Sequence, residues 1–213
     1  MNNYNVQMLF PVCFHQYLFD EFDADELIKF CYEQKEKNLE GQVRSNRGGW
    51  HSSFFNIKDD NIISTHLKRG LGKSIFTSLD PNLGVDVSYW IMINPPNTYN
   101  TSHTHPEAHF SGVMWIKTPE KCGDISFNNP YEIVFRSLNE LIHNPYEFSS
   151  YIEMHSYLEE VREQTGVHPT YKFHPEPGKM ITFPASLRHE VKVNESNEDR
   201  ISVSYNIHIN KQN

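Results

Sequence analysis

The stretch that most restricts the fold is Arg200-Ile201-Ser202-Val203-Ser204-Tyr205-Asn206-Ile207-His208-Ile209, in which polar and apolar residues alternate without a break. Side chains of an extended strand point to opposite faces in turn. Arg200, Ser202, Ser204, Asn206 and His208 therefore share one face, and Ile201, Val203, Tyr205, Ile207 and Ile209 share the other. The apolar face belongs to a core. The polar face is either solvated or lines the mouth of a barrel. Val85, Val87, Tyr89, Ile91 and Ile93 alternate in the same way with Asp86, Ser88, Trp90 and Met92, which predicts a second long strand. Further strands are expected at 110–117, 124–127, 171–173, 179–183 and 190–193, punctuated by turn residues such as Asn128-Asn129-Pro130 and Pro177-Gly178. So many short strands in one chain point to a sandwich or jelly roll.

The amino-terminal part reads differently. Asp23 followed by Glu26 and then by Leu27, Ile28, Phe30 and Cys31 predicts a helix from Asp23 to about Leu39, ended by Gly41. A second helical period runs over 60–79, carried by Ile62, Ile63, Leu67, Leu71, Ile75 and Phe76, with Gly70 and Gly72 weakening it. Between the two, Arg44 to Ser52 reads as a loop around the adjacent glycines Gly48 and Gly49. Residues 1–22, where Val6, Met8 and Phe10 alternate, are expected to supply an edge strand. Ser137 to Gly166 is polar with apolar residues at helical spacing, and is expected to form a helical insertion. The chain is thus expected to be one domain over 1–213: a supporting helical region at 1–84, a β core at 85–130 and 171–213, and a helical insertion at 131–170.

A formal net charge of −8 and the lack of any run of Lys or Arg give no footprint for nucleic acid. No apolar run has membrane-spanning or signal-peptide length, so a cytoplasmic protein without a membrane partner is expected. Three cysteines at irregular spacing suit reduced thiols. The triplets Asn100-Thr101-Ser102 and Asn194-Glu195-Ser196 read as chance matches to a glycosylation signal.

Chemistry concentrates in Ser102-His103-Thr104-His105-Pro106. Two imidazoles at i and i+2 of an extended segment point the same way and can grip one metal ion. Among twelve histidines most are bystanders, but this pair directly precedes the apolar run at 110–116. His189, far downstream, is the best third ligand. Arg200 is placed to hold a carboxylate bidentately, with the hydroxyl of Ser202 beside it.

These residues resemble the Fe(II)/2-oxoglutarate-dependent oxygenases, in particular a group of bacterial and phage members of that superfamily. The likeness rests on Ser45-Asn46-Arg47-Gly48-Gly49-Trp50-His51-Ser52, on Trp90 and the His103-Thr104-His105-Pro106 segment, and on Ser111-Gly112-Val113. It continues through Pro119-Glu120-Lys121-Cys122-Gly123, the segment from Phe183 to His189, and Arg200-Ile201-Ser202-Val203-Ser204-Tyr205-Asn206. The resemblance implies a double-stranded β-helix, mainly β with flanking helices. It implies Fe(II) held by His103, a second residue two along, and His189, with 2-oxoglutarate as cosubstrate gripped by Arg200 and Ser202. Most of the superfamily carries an acid at the second position, where this chain has His105. Either the centre has three histidines, or the frame moves to His105-Pro106-Glu107 and Glu107 supplies a carboxylate. Trp50, Trp90, Asn94, Ser111, Trp115 and Asn206 are the candidates for the substrate pocket.

The expected activity is hydroxylation of a C–H bond in a peptide, protein or small molecule, with decarboxylation of 2-oxoglutarate to succinate, in the host cytoplasm if the chain is phage-encoded. Whether the protein forms a homo-oligomer stays open. Two rivals remain at this point. One is a cupin-like jelly-roll enzyme that uses no 2-oxoglutarate, against which Arg200 counts. The other is a non-catalytic homologue, which the missing acid favours and the intact His and Arg set opposes.

Overall fold

The computed structural model describes residues 12–80, 82–131, 168 and 170–211. Among the described residues, twelve strands form two antiparallel sheets. The larger contains β1 (His15–Leu18), β10 (Lys179–Pro184), β7 (Phe110–Lys117), β12 (Arg200–Lys211), β5 (Leu83–Asn94) and β3 (Trp50–His51) in that order, with β4 (Phe55–Asn56) also on β5. The smaller runs β2 (Asn46–Arg47), β6 (Tyr99–His103), β11 (His189–Val191), β8 (Ile125–Asn128), β9 (Thr170–Phe173). From β5 to β8, and again from β10 to β12, successive strands alternate between the sheets. That is the winding of a double-stranded β-helix.

The two long alternations are neighbours: β12 and β5 pair along their whole length, from Arg200 opposite Asn94 to Lys211 opposite Leu83. Their apolar faces do not meet the second sheet. Ile201, Val203, Tyr205 and Ile207 pack with Val87, Tyr89, Ile91 and Ile93 against the helices α1 (Ala24–Lys37) and α2 (Ile62–Gly72), whose Leu27, Cys31, Ile63, Leu67 and Leu71 complete that core. A second, smaller core lies between the sheets and is built from Val113, Trp115, Ile125, Phe127, Ile181 and Phe183. Strand β7 serves both, because Met114 and Ile116 face the helices while Val113 and Trp115 face the other sheet.

The helices start where their caps place them. The Asp23 carboxylate accepts the Glu26 N–H at 3.2 Å, and Asn61 does the same for Ser64 at 2.9 Å. The first helix ends at Lys37, earlier than Leu39, with Asn38 as its cap; Gly41 lies beyond it at φ +62°. A side chain at Gly41 would collide with the Trp50 ring and the His51 carbonyl at 2.7 Å, so glycine is required there by close approach as well as by conformation. The helical period over 60–79 divides into α2 and a 3₁₀ turn, Ile75–Ser78. Gly70 stays inside α2 because the Met180 sulfur would stand 2.3 Å from any Cβ.

Arg44 to Ser52 is not a plain loop. Gly48, at φ +79°, turns the chain between β2 on the smaller sheet and β3 on the larger, so the segment bridges the two sheets beside the barrel mouth. The edge strand expected within 1–22 is β1, while Val6, Met8 and Phe10 lie outside the described residues. The helical insertion also lies outside them, except that Tyr131 sits in a turn and Thr170 already belongs to β9. No helix among the described residues is long and apolar enough to cross a membrane.

Candidate metal centre

His103 is the last residue of β6 and His189 the first of β11, and the antiparallel register sets them directly opposite each other. The strand stops at His103. His105 lies two residues past its end, held by its own N–H donating to the Ala185 carbonyl at 2.9 Å, and its ring turns back to the other two. Ring centroids are 4.4 Å apart for His103 and His189, 5.0 Å for His103 and His105, and 5.3 Å for His105 and His189. One ligand atom from each ring lies within 4.8 Å of the others, which is the convergence a single metal ion needs. Glu107 is exposed, lines the outer part of the mouth and is not in this group.

The donor atoms are prepared for ligation. His103 Nδ1 meets the Thr101 carbonyl at 2.7 Å and His189 Nδ1 meets the Leu187 carbonyl at 2.9 Å. A carbonyl only accepts, so Nδ1 carries the proton in both and Nε2 keeps its lone pair for a metal. Burial keeps the rings neutral. It lowers the pKa of His189 to about 3, helped by the neighbouring His103, and that of His105 to about 4, again with His103 beside it. His103 is lowered too, by burial and then by the field of Arg188.

Arg200 occupies the far side of the same cavity, a narrow space of about 50 Å³ lined also by Asn94, Trp115, Ser202 and Ser204. It is 2% exposed, and burial lowers its pKa to about 10. Nη1 donates to the Cys122 carbonyl, and more distantly to those of Gly123 at 3.4 Å and Lys192 at 3.3 Å. Nη2 donates to nothing. With the Tyr17 hydroxyl, it is one of two buried side-chain polar atoms among the described residues without a partner. A buried guanidinium N–H left open is costly, and a carboxylate is the group that would satisfy it. The chemistry of the donors thus fits both a divalent metal and an oxo-acid.

An outer cleft of about 570 Å³ shares Ser45, Trp90, His103 and His105 with this cavity. Of the residues predicted for the substrate pocket, Trp90 lines both spaces, Asn94 and Trp115 the inner one, and Asn206 the outer. Ser111 lines neither and donates its hydroxyl to Asn206 Oδ1 at 2.7 Å. Trp50 also lines neither. It packs in the core under the helices with its indole N–H on the Asn38 carbonyl at 2.8 Å, because β3 turns its side chain away from the mouth. Its neighbour His51, not foreseen as a site residue, takes the position instead: it lines the cleft, stacked on Trp90 at 5.5 Å and 6°. Phe54 and Arg44 line the same wall, with the guanidinium 6.0 Å from the ring centre. The glycine pair and the alternation of Trp50 with His51 were the signals that could have pointed there.

Known structures share this architecture. A prolyl-4-hydroxylase from Pseudomonas putida superposes with a TM-score of 0.55 over 92% of this chain and 92% of its own, at 14% identity. A prolyl hydroxylase from Trichoplax adhaerens, solved in complex with a hypoxia inducible factor oxygen degradation domain peptide, gives 0.54 over 91% and 83% at 10% identity. HygX from Streptomyces hygroscopicus, solved with nickel and 2-oxoglutarate bound, gives 0.52 over 88% and 79% at 10% identity. No curated protein sequence matches the chain. The sequence profile of the family described as "Putative 2OG-Fe(II) oxygenase" matches residues 88–206, more than half of the chain and the whole span from Trp90 through His103, His105, His189 and Arg200 to Asn206. The chain belongs to the 2OG-Fe(II) oxygenase family.

Proposed function

We propose that the protein is an Fe(II)- and 2-oxoglutarate-dependent dioxygenase that hydroxylates a C–H bond of a peptide, protein or small-molecule substrate. The observation that carries this reading is the unpartnered N–H of buried Arg200 in the same cavity as three neutral imidazoles. His103, His105 and His189 would hold the iron, and Arg200 with Ser202 would hold the distal carboxylate of 2-oxoglutarate. When bound, the metal and cosubstrate supply dioxygen activation coupled to oxidative decarboxylation, with succinate and carbon dioxide as co-products and one oxygen atom passed to the substrate.

The protein's own part is placement. The hydrogen bonds at His103 and His189 fix their tautomers, so no proton has to leave before a metal binds. Arg200 orients the cosubstrate along the cavity, and the narrow inner space limits water at the reacting end. The wide cleft bounded by Trp90, His51 and Phe54 is the place for the substrate, with an apolar aromatic wall and polar groups at its rim. Three free cysteines, two of them buried, suit a reducing cytoplasm.

Anaerobic titration of the protein with Fe(II) and 2-oxoglutarate tests the reading. A visible metal-to-ligand charge-transfer band is expected only when both are present, followed by succinate formation on admitting oxygen. A cupin-like centre would bind metal and give no such band, and that result would end the proposal.

A further inference from the structure

The aromatic wall of the outer cleft carries polar groups that are held as firmly as its rings. His51 is 3% exposed, and its Nδ1 meets the Ser52 carbonyl at 2.6 Å. That carbonyl can only accept, so Nδ1 holds the proton and Nε2 keeps a lone pair. Burial keeps the ring neutral, against the pull of the Ser52 bond and with the help of the positive field of Arg44. Ser52 is itself clamped to β5: its N–H donates to the Ile91 carbonyl at 3.0 Å, and its hydroxyl oxygen accepts the Ile91 N–H at 2.9 Å. Stacked on Trp90 as well, His51 is a rigid hydrogen-bond acceptor in the wall of the cleft.

Arg44 stands beside it. Phe54 meets the His51 ring edge to face at 5.8 Å and 74°, and carries the Arg44 guanidinium 6.0 Å from its own centre. The guanidinium makes a long hydrogen bond to Gln42 Oε1 at 3.4 Å and belongs to the exposed part of the wall. Resting on an aromatic face, a guanidinium keeps its N–H edge for a carboxylate. Glu107 lines the same cleft with the opposite charge. An acceptor for an N–H, a fork for a carboxylate and a carboxylate for a cation are the complements of the groups of an amino acid. From this arrangement we infer that the substrate is an α-amino acid, free or at the C-terminus of a peptide, held at its carboxylate by Arg44 and at an N–H by His51, with its side chain along Trp90. The inference rests on the reading of the site given above and names the substrate class for it. The Trp90 ring is 5.8 Å from that of His105, so a side chain that follows the wall inward from His51 arrives at the metal ligands. A free ammonium finds its counter-charge at Glu107, which an acylated nitrogen does not need.

The test offers the whole chain, loaded with 2-oxoglutarate and with Zn(II) as a diamagnetic stand-in for iron, the standard amino acids, their N-acetyl derivatives and the carboxamides of both. Binding is read by saturation-transfer NMR, and succinate release by the Fe(II)-loaded protein is read alongside. At least one acid is expected to bind and to raise succinate release, and its carboxamide to bind at least about tenfold more weakly, having lost a charge-assisted pair. In Arg44→Gln the preference for acid over carboxamide is expected to disappear, and Arg44→Lys to restore part of it. His51→Phe keeps a ring on Trp90 and removes the lone pair, so it is expected to weaken the same acid about two- to tenfold. N-acetylproline, which has a carboxylate and no N–H, is expected to bind wild type no better than His51→Phe. A free amino acid that binds more tightly than its N-acetyl form identifies a small-molecule substrate; the reverse order identifies the C-terminal residue of a peptide. No binder in the panel, carboxamides that bind as well as their acids, or an undiminished preference in Arg44→Gln, whose altered side chain is exposed, would each overturn the inference. Absence of the charge-transfer band with Fe(II) and 2-oxoglutarate would instead remove the reading on which it rests.

Discussion

Arg200 has two jobs on one guanidinium. Nη1 is held by the carbonyls of Cys122, Gly123 and Lys192, while Nη2 is buried without a partner. An ammonium keeps the charge but not the planar fork, so Arg200→Lys cannot serve both sides. Losing one charge-assisted hydrogen bond costs about 1.5–3 kcal/mol, which weakens 2-oxoglutarate about ten- to a hundredfold while metal still binds. Calorimetry showing unchanged 2-oxoglutarate affinity would take Arg200 out of the cosubstrate site. For His189→Ala the expected outcome is a folded protein that has lost its metal, because the strands and not the imidazole place the centre; full metal stoichiometry by elemental analysis would contradict it. The histidines also set an acid limit. Their folded pKa values lie below the usual 6.5, at about 3 for His189 and about 4 for His105, so their neutral forms stabilise the metal-free protein above pH 6.5. That stability is lost as pH falls through 4 and toward 3. Melting temperatures of the metal-free protein should therefore drop below pH 6.5, and less steeply in His189→Ala; parallel curves would show that these rings contribute nothing.

At the scale of elements, the β11–β12 connection decides where Arg200 stands. Asn194 is fully buried, and its amide donates to the Asn94 carbonyl at 2.9 Å and to the Glu198 carbonyl at 2.8 Å. Its Oδ1 accepts from the Ser196 N–H at 3.1 Å and the Ser196 hydroxyl at 2.6 Å. The Asn-x-Ser triplet read as a chance match is therefore the knot that ties this loop to the end of β5, and its burial leaves no room for a modification. Asn194→Ala removes the donor to the buried Asn94 carbonyl and the acceptor of Ser196, and should cost about 1–3 kcal/mol in chemical denaturation; a loss no larger than that of an exposed residue would show that the knot bears no weight. Strand β7 has a comparable fixed point. A Cβ at Gly112 would stand 2.2 Å from the Tyr205 ring and 2.4 Å from the Ile181 carbonyl, so three adjacent strands close together only over glycine. Gly112→Ala is expected to destabilise by at least about 1–3 kcal/mol, the usual cost of overpacking, and an unchanged denaturation midpoint would contradict this packing.

For the molecule as a whole, the helix-backed core limits stability on the alkaline side. Burial pushes the Cys31 thiol up to about 12 from its usual 9.0, and raises Tyr89 and Tyr205 in the same direction. A raised folded pKa favours the protonated form, so this stability is complete below pH 9 and is lost as pH rises toward 12. Cys31→Ala, although less stable at neutral pH, should lose less on going from pH 9 to 12, as equilibrium denaturation can measure; an equal loss would mean that the thiol is not a source of the slope. The sequence by itself determined what local periodicity and capping can carry. It located the first helix by its Asp23 cap, the second by its apolar period and the two longest strands by their alternation, and it singled out by residue type His103, His105, His189 and Arg200, which line one cavity. Only the tertiary structure decided that the apolar face of β12 packs on helices while its polar face lines a cavity, since alternation gives two faces and does not say what covers either. It alone turned Trp50 into the core and His51 to the cleft, and it alone set His103 opposite His189. The pairing of strands distant in sequence is fixed by packing and register across two sheets, for which a single strand carries no local mark.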